Sequence, residues 1–212
     1  MTLTGREALT LEVELGCGAV SLPHADLTLD GPPSASLLLF SMEQMHAQAL
    51  PWPKLRYCEA LWRVRVRHRG APAFFASACD LDHPLVRGLG RTAIRYPVRP
   101  ATFAFEDGTS PRFAVRSGLG SLALEVTPSL DPAPIVEPLP VLTLSGGNLY
   151  RIPWRETPTQ HRVHAALKIR EASLAEVTLG RGLAWPARAV LMRGRMHHCG
   201  LARRVDFPAQ NG

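Results

Sequence analysis

The chain has 212 residues, of which 46% are hydrophobic, and a formal net charge of +6; this length suffices for the core of one large domain or two small ones. Its longest apolar runs, such as "SLLLFSM" and "PAFFASA", are far shorter than the roughly 20 residues of a membrane-spanning helix, which excludes that class. The first residues carry acids early and lack the basic start and apolar block of a secretion signal, so we expect a cytoplasmic protein.

Cysteine and lysine usage narrows the possible chemistry. The four cysteines are far apart and include no Cys-x-x-Cys pair, which argues against a disulfide scaffold and against a zinc ribbon. We expect all four to be reduced and buried. Lysine occurs only at Lys54 and Lys168, against 22 arginines, so few side chains are available for amine chemistry.

Alternation of apolar and polar residues with a period of two recurs along the chain and predicts half-buried strands. In chain order these stretches are "LTLEVEL", "ADLTLD", "LWRVRVRHR", "ATFAFED", "RFAVRSG", "SLALEVT", "RVHAALKIR" and "RAVLMRGRM". Helices are predicted only at "SMEQMHAQAL", with Ser41 as its cap, and near Asp82, with Pro84 in the first turn. The pattern predicts a mainly β fold, either an antiparallel barrel or a sandwich, with one or two short helices.

A proline-rich stretch interrupts this pattern at residues 127–140, "TPSLDPAPIVEPLP". Five prolines exclude a central strand, so we predict a crossing loop or a linker. A domain boundary here would leave the residues after 140 with a marginal core. The sequence therefore favours a single domain over residues 1–212.

Four short motifs resemble the acetoacetate decarboxylase-like family over about residues 56–127. They are Tyr57-Cys58-Glu59, Leu81-Asp82, Gly90-Arg91 and Tyr96-Pro97. The resemblance implies a cone-like antiparallel β-barrel around an apolar pocket, without a bound cofactor. It also implies a reactive lysine directly after the Tyr-Pro pair, whose amine forms a Schiff base with a β-keto acid.

The sequence departs from the family at the residues that carry this chemistry. Val98 and Arg99 stand at the two lysine positions, and Thr92 stands where the family has a glutamate. Val98 has no nucleophile, and the guanidinium of Arg99 stays protonated at any ordinary pH. We therefore predict that the protein is not a functional acetoacetate decarboxylase. Arg99 can instead bind a carboxylate or phosphate through two hydrogen bonds.

The matched positions, whether retained or replaced, are the candidate site residues. Glu59 is the acid/base candidate, although a rim carboxylate paired with an arginine is an equal alternative. Tyr96 and Val98 would shape the pocket. Arg99, together with Arg91 or Arg95, would anchor an anion, although a surface or structural ion pair is the favoured interpretation for Arg91 and Arg95. The predicted function is that of a small-molecule-binding protein, or a lyase-type or isomerase-type enzyme without a Schiff base. Its ligand would be a small carboxylate or carbonyl compound, and the resemblance implies a homo-oligomer.

An alternating stretch, "WRVRVRHR", places four arginines on one strand face: Arg63, Arg65, Arg67 and Arg69. This stripe supports an alternative function, a basic module for nucleic acid or an acidic partner. A solvated outer face is the favoured reading, because no aromatic residues share the arginine face. Glu59 has the same parity as the arginines, so either a bulge lies between them or Arg63 lines the pocket too.

The histidines of "TQHRVHAALKIR" and "RMHHCG" could in principle hold a metal ion. In a strand, however, His161 and His164 point to opposite faces, and so do His197 and His198. We therefore predict no metal site and interpret these residues as surface or core-edge histidines.

Overall fold

A computed structural model describes residues 2–17, 20–135, 138–157, 161–180, 183–185 and 188–205. The first seven strands are β1 (Thr2–Gly16), β2 (Leu27–Leu29), β3 (Ser34–Ala47), β4 (Leu50–His68), β5 (Ala71–Leu81), β6 (Val98–Glu106) and β7 (Arg112–Ser117). The second seven are β8 (Gly120–Pro132), β9 (Val141–Ser145), β10 (Asn148–Ile152), β11 (Trp154–Thr157), β12 (Arg162–Glu171), β13 (Arg188–Gly200) and β14 (Arg203–Arg204). Two short helices are α1 (Pro84–Leu89) and α2 (Ser173–Leu179). None of the described helices is long and apolar enough to cross a membrane.

The longer strands close into a ring. Its order is β5-β6-β7-β8-β12-β13-β1-β3-β4, and the pairing of β4 with β5 closes it. Neighbouring strands are antiparallel except β5 and β6, which run parallel. The first part of β5, at Phe74 and Phe75, also pairs with β9, and β10 and β14 follow β9 in the sheet. The predicted strand-rich, barrel-like fold with two short helices is confirmed.

Strands β3 and β4 are buried on both faces, and this burial divides the core. One face of the pair contributes Leu37, Leu39 and Trp62 to a large cluster inside the ring. The opposite face contributes Phe40 and Leu61 to a second cluster. A candidate site on the second face is therefore built on strands that both sides hold in place.

The helix predicted at "SMEQMHAQAL" is wrong, because residues 34–47 form strand β3. The spacing of Met42 and Met45 fits a helix, but an irregularity in the pairing of β3 with β4 lies between them. Such a bulge shifts the alternation by one residue, so both methionines face the same side. Both line the cavity described below.

The helix predicted near Asp82 is confirmed as α1, with Pro84 at its start. A π-helical turn, Gly90–Ile94, follows directly and ends at Arg95, whose φ of 64° is left-handed. Gly90 is required here, since a Cβ at this position would lie 2.9 Å from Cγ2 of Val98. This turn brings the chain back to the start of β6 beside the end of β5.

The prediction of a loop at 127–140 is wrong for its first half. Strand β8 continues to Pro132 and pairs with β12 through Pro128 and Pro132. A register irregularity in β12 between Val163 and Ala165 lies in this segment, and such bulges are where a sheet accommodates proline. Residues 133–135 and 138–140 connect β8 to β9.

Candidate functional site

A cavity of about 40 Å³, here called the inner cavity, opens on the second face of the sheet. Strands β1, β3, β4 and β13 form its walls, and α1 with the π-helical turn covers it. Most lining groups are apolar. The lining side chains with polar or sulfur atoms, apart from the methionines, are Thr4, Tyr57, Glu59, Tyr96, Trp154, His197 and Cys199.

Glu59 is the only carboxylate among the described lining residues of the inner cavity. It is 5% exposed, and burial raises the pKa of its carboxyl from 4.5 to about 8. The charge of Glu7 also raises this pKa, whereas a hydrogen bond from Cys79 Sγ at 3.4 Å and the charge of Arg63 lower it. Glu59 is therefore predominantly protonated at neutral pH and can donate as well as accept a proton.

Two tyrosines lie on the same cavity walls. Burial raises the pKa of Tyr57 and of Tyr96 well above 10, so both phenols stay neutral. The hydroxyl of Tyr96 is buried and has no hydrogen-bond partner within the described residues. An unpartnered buried hydroxyl is costly, and a ligand atom in the cavity would satisfy it.

A buried charged network orients His197. The Glu7 carboxylate is fully buried, binds Arg195 Nε and the Thr10 hydroxyl at 2.6 Å each, and accepts a hydrogen bond from His197 Nδ1 at 2.9 Å. Burial opposes ionisation of Glu7, but Arg195 and His197 outweigh it and lower its pKa to about 2. When Nδ1 donates to this carboxylate, the neutral imidazole has its lone pair at Nε2, which can then accept a proton.

Sequence reasoning missed this network. The pair Glu7 and Arg195 is far apart in sequence and meets only through the register of β1 with β13. The alternation in "RMHHCG" predicts that His197 and His198 point to opposite faces of the strand, and the structure agrees. His197 is buried at the inner cavity. His198 Nδ1 lies 3.1 Å from Thr4 Oγ1. No group of three metal-ligating side chains occurs in the described part of the chain.

The three arginines predicted as candidate ligand-binding residues, Arg91, Arg95 and Arg99, do not line the inner cavity. Arg91 is exposed and donates to the Val98 carbonyl at 3.3 Å. Arg95 is exposed and stacks over the ring of Tyr150 at 5.7 Å. Arg99 binds the buried Asp80 carboxylate through Nε at 2.8 Å and Nη2 at 2.7 Å. Among the predicted site residues, Glu59 and Tyr96 meet at the cavity.

Val98 lies directly behind the cavity wall. It is 8% exposed, pairs with Cys79 across β5 and β6, and contacts Gly90, which lines the cavity. Neither Lys54 nor Lys168 lines the cavity, and both are exposed. The inner cavity therefore contains no lysine amine within the part of the chain that the structure describes.

The arginines of the stripe on β4 are paired with acidic side chains. Arg63 is buried and binds Glu12, while Arg65 and Arg67 share Asp30. Arg69 lies 3.8 Å from Asp26.

Arg63 is on the same strand face as Glu59, because the pairing of β4 with β3 is unbroken between them. The pairing of β4 with β5 has an irregularity at Trp62 and Arg63, but its extra residue, Ser77, belongs to β5. The sequence required either a bulge between Glu59 and Arg63 or a pocket lined by Arg63 as well. Arg63 does line a pocket, but this pocket is separate from the cavity that Glu59 lines.

Comparison with protein-family models and with curated proteins gave no match. Several proteins of known structure are similar in fold, at low sequence identity. An acetoacetate decarboxylase from Legionella pneumophila aligns over 97% of this chain and 88% of its own, with 13% identity and a TM-score of 0.72. An acetoacetate decarboxylase-like enzyme from Sphingomonas wittichii aligns over 97% and 94%, with 16% identity and a TM-score of 0.67. The enduracididine biosynthesis enzyme MppR in complex with pyruvate aligns over 97% and 90%, with 10% identity and a TM-score of 0.67. The resemblance noted in the sequence is thus confirmed in three dimensions: this chain has the acetoacetate decarboxylase-like fold.

Proposed function

We propose that the protein binds a small carbonyl compound in the inner cavity without a covalent bond and exchanges protons with it through Glu59. The volume of about 40 Å³ suits a ligand of only a few heavy atoms. Apolar walls would hold its carbon atoms, and the polar groups would bind its oxygen. MppR, whose fold is similar, is described in complex with pyruvate, which supports this ligand class.

The observation that carries the proposal is the unpartnered Tyr96 hydroxyl in the same cavity as a carboxyl that stays protonated at neutral pH. Two such donors would polarise a carbonyl oxygen. His197 Nε2 would accept a proton from the adjacent carbon. As that C–H bond breaks, its electron pair forms a C=C bond, and the carbonyl oxygen takes the proton of Glu59 to give an enol.

Exchange of α-protons for deuterium is the direct test. Acetone and pyruvate are incubated with the protein in D₂O, and the loss of methyl proton signal is followed by NMR. We expect exchange faster than the buffer background, with Glu59→Gln and Tyr96→Phe each slowing it. For Glu59→Gln we expect a decrease of roughly 100-fold or more, because the general acid is lost.

Tyr150→Phe serves as the matched control, because Tyr150 does not line the inner cavity. Its exchange rate should equal that of the unaltered protein. Equal rates in the Glu59→Gln and unaltered proteins, or no exchange above background, would refute the proton-transfer role.

A lysine introduced at Val98 tests whether the cavity accepts keto acids. With pyruvate or acetoacetate and borohydride, we expect no adduct on the unaltered protein and one adduct on Val98→Lys, read as intact mass. The new amine would lie at the wall beside Gly90 and Cys79, where burial favours its neutral, nucleophilic form.

Val177→Lys is the control for this experiment, since Val177 is 54% exposed on α2 and its amine would stay protonated. Thermal unfolding confirms that both variants fold. An adduct on the unaltered protein would contradict the non-covalent proposal, and an unmodified but folded Val98→Lys would place keto acids outside the ligand class.

The proposal includes the cellular setting expected from the sequence. The four cysteines are free thiols, and the cytoplasm would keep them reduced. Association into homo-oligomers through exposed sheet edges belongs to the same proposal.

The alternative of a basic binding module is not favoured by this geometry. Each arginine of the stripe has an acidic neighbour: Glu12, Asp30 or Asp26. A phosphate backbone would have to displace these carboxylates. Steep loss of nucleic-acid affinity with rising salt would be the result that revives this alternative.

A further inference from the structure

A second and larger concavity, here called the outer pocket, has a volume of about 420 Å³. Its walls come from β1, β4, β5, β11, β12 and β13, together with the connection that leads to β9. Its lining side chains include Glu12, Arg63, Phe74, Trp154 and Arg162. None of the chemistry proposed for the inner cavity uses this pocket.

The outer pocket and the inner cavity lie on one face of the sheet. Glu59 lines the cavity and Arg63 lines the pocket, and the four residue steps from one to the other along the strand span about 13 Å. Leu61 fills the layer between. Trp154 lines both spaces, and its ring lies 4.0 Å from that of His197.

Two arginines of the outer pocket flank one carboxylate. Arg63 Nη2 lies 3.2 Å from Glu12 Oε1 and donates to Ser36 Oγ at 2.8 Å. Arg162 Nη2 lies 3.7 Å from Glu12 Oε2, beyond hydrogen-bond length, and its Nη1 donates to the Met192 thioether at 3.3 Å. A thioether is a weak acceptor. Glu12 therefore satisfies these two guanidiniums only in part.

The Nε atoms of Arg63 and Arg162 are both buried and have no hydrogen-bond partner within the described chain. Arg63 as a whole is 5% exposed. Leaving buried donors of charged groups unpaired is unfavourable. Two such arginines on one pocket indicate an occupant with acceptor oxygens.

The remaining wall defines the other part of that occupant. The Arg63 guanidinium stacks over the Phe74 ring at 4.2 Å, and Pro134 and Leu139 add apolar surface. Of the other charged lining groups, Arg65 is already bound to Asp30, and Glu14 is exposed.

We propose that the outer pocket is a binding site for a small organic oxyanion, a carboxylate or phosphate monoester carrying an apolar group. Its oxygens would bind Arg63 and Arg162, and its apolar part would lie against Phe74. This inference does not depend on the function proposed for the inner cavity.

Benzoate and phenyl phosphate are suitable probes, with benzyl alcohol as the neutral counterpart, and calorimetry measures their binding. We expect saturable binding of at least one anion and none of the alcohol. Arg162→Met should weaken anion binding at least about 10-fold, the loss that follows when a hydrogen bond to a charged group is removed. Arg170→Met is the matched control, because Arg170 pairs with Glu125 on an exposed part of the sheet.

Arg63→Lys supplies a second variant that keeps the positive charge beside Glu12 while removing the two-pronged donor. It should also weaken binding, and thermal unfolding establishes that it is folded. Glu59→Gln should bind the anions like the unaltered protein. The proposal would be overturned if neither anion bound, or if Arg162→Met and Arg63→Lys left the affinity unchanged. It would also be overturned if Glu59→Gln abolished binding, because the probe would then occupy the inner cavity.

Discussion

Replacement of Glu59 by glutamine is expected to raise the free energy of unfolding at pH 9 by on the order of 3–5 kcal/mol and to leave it nearly unchanged at pH 5. Burial raises the pKa of Glu59 from 4.5 to about 8, so the folded protein holds this proton more tightly than the unfolded chain. The resulting stabilisation is fully present below pH 4.5 and is lost as the pH rises through 8. Glutamine has the same shape and never ionises.

Urea unfolding at pH 5, 7 and 9 measures this difference. Glu125→Gln is the control, because Glu125 binds Arg170 at 2.8 Å and this hydrogen bond lowers the pKa of Glu125. That substitution should bring no gain at pH 9. Parallel stability curves for Glu59→Gln and the unaltered protein would mean that the carboxyl titrates alike in the folded and unfolded chains.

The same titration connects stability to the proposed chemistry. Glu59 can donate a proton to a carbonyl oxygen only while protonated, so the α-proton exchange described above should fall as the pH rises past about 8. The Glu59 carboxyl would then both lower the stability of the fold at high pH and supply the proton for the proposed reaction. Such opposition between stability and function is common for buried ionisable residues.

Much of the barrel was predictable because strands that are half buried show a period of two. Strands β6 and β7 follow this rule in their burial. Strand β3 does not, because both of its faces are buried and a bulge separates Met42 from Met45. Its spacing then imitates a helix, and no local property of the sequence distinguishes the two.

The site was predictable only where the resemblance supplied it. Glu59 and Tyr96 belong to matched motifs, and both line the inner cavity. The partners of His197 were not predictable, since Glu7 meets the strand of His197 only through the pairing of the first and thirteenth strands. Arg99 was interpreted as an anion anchor, but parallel pairing of β5 and β6 places it opposite Asp80, whose carboxylate binds it.

Asp80→Leu is expected to lower the free energy of unfolding by about 3–5 kcal/mol, because it breaks a buried ion pair from one side. Asp80 is fully buried and accepts hydrogen bonds from Trp62 Nε1 at 2.8 Å and from two nitrogens of Arg99. Asp107→Leu is the matched control, since Arg193 binds Asp107 with the same two nitrogens at an exposed position. Loss of an exposed pair costs at most about 1 kcal/mol.

A double variant, Asp80→Leu with Arg99→Met, separates the cost of the unpaired Arg99 charge from the other contributions to the loss of stability. Removing the stranded guanidinium should recover most of the stability lost in Asp80→Leu. The indole N–H of Trp62 would remain unpaired, which leaves a deficit of about 1–3 kcal/mol. Full additivity of the two substitutions in urea unfolding would contradict this account. It would mean that Arg99 does not depend on Asp80 and is free to bind another anion, as its guanidinium chemistry suggests from the sequence.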